Sequence, residues 1–256
     1  MPGLDYPSVF IEMEGARQDP RATKPRGSAI RGAKAGAVVR VLVDTAPPYT
    51  GADIARAAGV NEGYLSRILD TLADEGLIDR ERAGPVTGVD WPAIMQRRAR
   101  ALDLFRPVGT YRYISRQGTS ALLDRLRSRP SVDRTPPTVT GSFGAARIAP
   151  VAAPSLLVVY TMNPRELEAE LELLPAEAGA DTVLIRPDNN VAFARAAPDG
   201  GMAWAAPSQV AIDCLAGTGR MPSEGEALIG WMRQNTGAWR YPSIRALLAD
   251  ATDKEE

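Results

Sequence analysis

The chain has 256 residues, a formal net charge of −1, one cysteine and no histidine. The missing histidine removes the commonest general base and metal ligand, so a Ser-His-Asp triad, a Cys-His pair, a Cys/His zinc finger and an HExxH site are excluded. A lone Cys214 closes no intrachain disulfide, the opening MPGLDYPSVFIEMEG lacks a basic start and a long apolar stretch, and no apolar run nears the roughly 18–20 residues of a bilayer span, so a cytoplasmic protein with no membrane association is expected.

In chain order, residues 1–32 are rich in Pro, Gly and Arg. Val9-Phe10-Ile11 reads as a short strand and the remainder, with Arg26 and Arg31, as a flexible basic arm. From Ala33 the pattern becomes helical: Val38, Val39, Leu42 and Val43 predict a helix over Ala35–Asp44, ended by Pro47-Pro48. Thr50-Gly-Ala-Asp53 has capping-box spacing. It opens a short helix faced by Ile54, Ala55 and Ala58, with Gly59 as a left-handed cap. Asn61 is an N-cap for a third helix whose buried stripe is Leu65, Ile68, Leu69 and Leu72, closed at Gly76. Leu77–Arg82 and Val86–Val89 read as two strands around the turn Ala83-Gly84-Pro85. Residues 33–90 are thus expected to form one domain, residues 91–134 a basic extension and linker, residues 135–249 an α+β domain, and residues 250–256 an acidic tail. In the extension, Asp90 caps a helix over Trp91–Leu104, Tyr111–Ile114 is a strand, Gly118–Leu126 a helix and Pro130–Pro137 a linker. Beyond it, strands are expected at Thr138–Ile148, Leu156–Thr161, Thr182–Ile185 and Val191–Phe193. Helices are expected at Pro164–Leu174, Pro207–Ala216 and Pro222–Gln234.

Charge is unevenly spread. Residues 1–134 hold 21 Lys+Arg against 16 Asp+Glu, and residues 135–256 hold 9 against 15. The basic residues concentrate in Ala16–Pro47 (7 against 2) and Trp91–Arg134 (10 against 3), on either side of an acidic Pro48–Asp90 (4 against 8). Basic flanks around a compact motif suggest phosphate binding, and a solvated surface has the same composition.

The Ala35–Asp44 helix followed by two helices about a glycine turn and two strands over Gly51–Asp90 predicts a winged helix-turn-helix, in which Ala55, Gly59 and Val60 let the second helix cross the third steeply. The third helix then turns Glu62, Gly63, Tyr64, Ser66 and Arg67 outward, where the first turns of a recognition helix meet base edges in the major groove. Arg67 suits guanine or a phosphate, and Arg80 and Arg82 on the wing suit a neighbouring phosphate. Thr50, Asn61, Arg26, Arg31 and Lys34 complete the candidate DNA-binding set. The expected partner is double-stranded operator DNA, and a homodimer would match two half-sites. The alternative reading is a non-catalytic module that binds a protein partner through its C-terminal domain.

VVRVLVDTAPPYTGADIARAAGVNEGYLSRILDTLADEGLIDR, together with AAPSQVAIDCLAGTGRMPSEGEALIGWM, resembles the actinobacterial AbiEi-type antitoxins of type IV toxin–antitoxin systems. The resemblance covers roughly residues 25–234, and Ala206–Leu228 is its more specific part. It implies a repressor of its own toxin operon, DNA reading by Tyr64, Ser66 and Arg67, and a nucleotidyltransferase-like toxin opposed without stable antitoxin–toxin binding. It implies no catalytic residues.

Thr140-Gly141-Ser142-Phe143 invites comparison with the Gly-Ser turn of nucleotidyltransferases. That chemistry needs two carboxylates on the following strand to hold paired Mg²⁺, and Leu156–Thr161 carries none. No enzyme activity, metal or cofactor is therefore expected. The expected fold is α+β: an N-terminal winged helix-turn-helix and a small α+β domain, with a degenerate nucleotidyltransferase-like form left open. Glu166, Glu168, Glu170 and Glu172 read as a solvated face, Cys214 as core, and Trp204, Trp231 and Trp239 as packing residues.

Overall fold

The computed structural model describes residues 30–81, 84–106, 108–130 and 134–253, so Val9–Ile11, Arg26 and Arg82 lie outside the described residues. Helices α1 (Gly32–Asp44), α2 (Gly51–Ala58) and α3 (Glu62–Asp74) precede strands β1 (Ile78–Arg80) and β2 (Val86–Val89). Each boundary has a local cause. The Thr50 hydroxyl accepts from the Asp53 amide at 3.1 Å and opens α2. Gly59 closes it at φ 62°, and Asn61 Oδ1 accepts from the Tyr64 amide at 2.8 Å to open α3. The strands pair antiparallel, and Tyr49 exchanges two backbone bonds with Val86, so the wing is tied to the segment before α2.

Next come α4 (Trp91–Ala99), β3 (Thr110–Ile114), α5 (Thr119–Ser128), β4 (Thr138–Thr140), α6 (Gly141–Ile148), β5 (Leu157–Tyr160), α7 (Pro164–Glu170), β6 (Leu174–Pro175) and β7 (Thr182–Ile185). A 3₁₀ turn at Asn190–Phe193 leads to β8 (Ala197–Asp199), β9 (Met202–Trp204), α8 (Pro207–Ala216), α9 (Met221–Gln234), α10 (Thr236–Trp239) and α11 (Ile244–Asp253). Seven strands form one mixed sheet in the order β6-β3-β7-β5-β4-β9-β8, with β5 parallel to β7 and β4 parallel to β9. The chain is a mixed α+β fold, a winged helix-turn-helix followed by a sheet-containing domain.

Strand alternation decides which core each side chain joins. Leu157, Val159 and Leu184 face a cluster with Leu122 and Leu126 of α5 and Leu167 of α7. Val158, Tyr160, Val183 and Ile185 face the opposite side, in a cluster continuous through α8 and α9 to Val39, Leu42 and the leucines of α3. The winged helix-turn-helix therefore shares a core with one face of the sheet. Arg40 of α1 reinforces the junction. Its guanidinium bonds Asp44, Gln209 of α8 and the Val191 and Ala194 carbonyls beside the 3₁₀ turn. Burial pushes the Asp44 carboxyl up, but Arg40 and Arg195 together outweigh it and hold it below the usual range.

Several expectations are corrected here. Thr138–Ile148 is not one strand. It ends at Thr140, because Gly141 takes φ +63° and turns the chain into α6, and a Cβ there would lie 3.2 Å from Val158. Val191–Phe193 is a 3₁₀ turn rather than a strand, opened by Asn189 Oδ1 accepting from the Val191 amide. The helices expected to reach Leu104 and Leu174 stop at Ala99 and Glu170. The hairpin β8–β9 and the helices α10 and α11 carried no sequence expectation. Tyr111–Ile114, read as part of a separate extension, lies inside the large sheet between β6 and β7.

Candidate nucleic-acid interface

The apolar stripe of α3 sets its orientation. Leu65, Ile68, Leu69 and Leu72 are buried, which leaves Glu62, Gly63, Ser66, Arg67 and Asp70 exposed on the opposite face. Tyr64 lies between the two, half-buried against the core. Its ring is flanked by Arg67 Cζ at 5.7 Å and by Lys34 Nζ, from the first turn of α1, at 6.0 Å. Two cations from separate helices thus lie over one aromatic ring at the start of the recognition helix. Arg67 Nε donates to the Gly63 carbonyl at 3.3 Å, and among the described residues its guanidinium has no carboxylate partner. This is a surface on which a polyanion finds charge, a planar ring and an open backbone at Gly63.

The other candidate residues are placed differently. Thr50 and Asn61 are exposed, but their side-chain oxygens are engaged in capping. The Thr50 hydroxyl also donates to Asp53 at 2.6 Å and holds that carboxyl below the usual range. Ser66 lies 3.4 Å from Asp70. Arg80 is folded onto α3, with its side chain 9% exposed and Nη1 3.7 Å from Asp70 Oδ1, so it does not stand out from the wing. Arg31 is exposed just before α1, where it lines a cleft between α1 and the sheet domain. Arg26 and Arg82 lie outside the described residues.

The basic stretch after Asp90 behaves unlike a free phosphate footprint. Arg97, Arg106, Arg127 and Arg129 pair with Glu75, Asp188, Asp199 and Glu170, and Arg125 donates to the Glu170 and Leu171 carbonyls. The acidic C-terminal half supplies most of those partners, so part of the charge asymmetry is met by ion pairs between the two halves. The close approach of Lys34 to Tyr64 had no signal in the sequence beyond the basic character of its segment.

The MarR family model matches residues 41–83, a stretch that begins within α1 and includes α2, α3 and β1. No curated protein and no solved structure matches the chain. Together, the geometry and the match identify a winged helix-turn-helix of the kind that DNA-binding transcription regulators carry.

Proposed function

We propose that the protein is a sequence-specific operator-binding repressor that reads the major groove with α3 and controls its own operon, as the antitoxin of a type IV toxin–antitoxin pair. The carrying observation is the approach of both Lys34 and Arg67 to the ring of Tyr64, on a helix whose leucines are all turned inward. The first two turns of α3 supply base contacts through Ser66 and Arg67, while Lys34 and Tyr64 seat the adjoining phosphates. The MarR-family match supports the regulator. The resemblance over Ala206–Leu228 supports the finer assignment to an antitoxin. In this reading the toxin is a nucleotidyltransferase-like protein encoded beside it, the repressor acts as a homodimer on paired half-sites, and its own C-terminal domain performs no catalysis.

Gel shifts with the DNA upstream of the gene test the regulator. Binding is expected at a preferred site and weakens steeply as salt rises, because phosphate contacts release counterions. Salt-insensitive retention, or none, would favour the alternative, a module that binds a protein partner through its C-terminal domain. Co-expression with the product of the adjacent gene tests the antitoxin: rescue of growth supports it, and unrelieved toxicity removes it.

A further inference from the structure

Successive residues of α4 hold two of the helices that build the candidate interface. Arg97 grips Glu75, the cap that closes α3, and Arg98 reaches back to the segment that opens α1. The Arg98 side chain is buried. Its Nη1 donates to the Ile30 carbonyl, and its Nη2 donates to the Gly32 carbonyl at 3.2 Å. The two carbonyls flank the exposed Arg31, so one planar fork holds both ends of a single turn. Asp213 of α8 lies within electrostatic reach and favours the charged form of the guanidinium.

Nothing local fixes this end of α1. The helix opens without a side-chain cap, its first turn has no acid, and it carries Lys34 where the helix dipole is positive. The anchor comes from elsewhere in the fold. The Ile30 side chain is pinned in the core, and the Arg98 fork holds the backbone on either side of Arg31. Gly36, one turn further along α1, leaves space for that fork. Glycine is unfavourable inside a helix, and a Cβ there would come 2.9 Å from Arg98 Nη2. Lys34 stands two residues past the second held carbonyl, with Nζ 6.0 Å from the centre of the Tyr64 ring. Its stem is long and flexible, so the place of its ammonium relative to α3 depends on where the first turn of α1 is held.

We propose that Arg98 is a positioning residue for DNA binding: its fork fixes the first turn of α1 so that Lys34 meets the duplex backbone in register with Tyr64 and Arg67 of α3. The inference rests on the repressor reading. Arg98 is buried and acts through Lys34, without touching DNA itself. Phosphate contacts carry no sequence information, so Arg98 sets affinity and salt dependence and leaves the choice of operator to Ser66 and Arg67.

Salt-series titrations of operator and unrelated DNA test this, using the full chain as parent, Lys34→Ala, Arg98→Lys and the double variant. Lys34→Ala should lower the slope of log affinity against log salt by about 1. Arg98→Lys keeps the charge and loses the fork. It should lower the slope toward the same value, weaken operator and unrelated DNA by the same factor, and add nothing once Lys34 is gone. A role confined to folding would instead reduce the active fraction, with the slope kept and the loss equal with or without Lys34. That result, or a parent-like slope in Lys34→Ala, overturns the proposal. Should Arg98→Lys fail to fold, Gly36→Ala takes its place: it changes no charge and crowds Nη2, with the same fall in slope expected and the same result overturning it. A parent that binds no DNA removes the repressor reading itself, whereas a binding parent whose variants keep its slope removes only the role of Arg98.

Discussion

Arg97 of α4 grips Glu75, the residue that closes the recognition helix, through two N–H···O bonds: Nε to Oε2 at 2.8 Å and Nη2 to Oε1 at 3.0 Å. The pair joins the helix that leads into the second domain to the end of the helix that faces DNA. Both side chains are partly exposed, so solvent screens the pair. Arg97→Ala and Glu75→Ala are each expected to cost about 1 kcal/mol or less, and the double variant no more than about the larger single loss. Urea unfolding of the four proteins measures this, and strictly additive losses would show that the pair contributes nothing.

Arg67 and Arg80 should separate recognition from stability. Arg67→Ala removes an exposed cation and should cost about 1–3 kcal/mol of specific operator binding, with unfolding free energy changed by less than about 0.5 kcal/mol. Arg80, folded against Asp70, should show the opposite balance, a clear shift in melting and a smaller loss of DNA affinity. Footprints of the two variants beside their melting curves decide the matter, and a loss of DNA binding confined to Arg80→Ala would reverse the assignment.

The phase of α3 is open to a direct test. Leu69 is 3% exposed, and Leu69→Ala should cost roughly 2–5 kcal/mol through lost burial and a residual cavity. Asn61→Ala removes the cap on the Tyr64 amide and should cost about 1 kcal/mol. Thermal denaturation indistinguishable from the parent for Leu69→Ala would mean that a different face of the helix is buried.

Asp213 and Asp44 should give the stability profile opposing slopes. Burial pushes the Asp213 carboxyl up to about 6, against the hydrogen bonds from Thr140, Gln209 and Tyr160 that favour its charged form. Its folded value lies above its unfolded one, so its contribution is fully present below about pH 4 and is lost as pH rises through 6, a change of up to about 3 kcal/mol. Asp213→Asn should flatten that interval, as read by unfolding free energy between pH 4 and 8.

Asp44 works the other way. Arg40 and Arg195, overcoming burial, hold its folded value below the unfolded one, so its contribution is present above about pH 4 and is lost as pH falls through the folded value. Asp44→Asn leaves Arg40 buried without its carboxylate and should cost about 3–5 kcal/mol at neutral pH. It should also remove part of the acid limb of the profile. A variant as stable as the parent at pH 7 would mean that the Arg40 network is not what joins the two halves.

The sequence by itself determined the winged helix-turn-helix, because its signals are local. Thr50, Gly59 and Asn61 act on amides and carbonyls within a few residues, and the leucines of α3 repeat with the helix period, so the buried face and the exposed Ser66 and Arg67 could be read in order. Only the tertiary structure decided the rest. Whether Arg97, Arg98 or Arg129 meets DNA, a carboxylate or a carbonyl depends on groups far away in the chain. So does the placement of Lys34 beside Tyr64, of β3 within the distant sheet, and of the Arg98 guanidinium against the carbonyls that precede α1. Gly141 belongs to the same class: nothing in Thr138–Ile148 taken alone stops a strand, but the packed Val158 leaves room for no Cβ where the chain turns. Charge and close packing act through space, and a linear pattern records only what neighbours along the chain require.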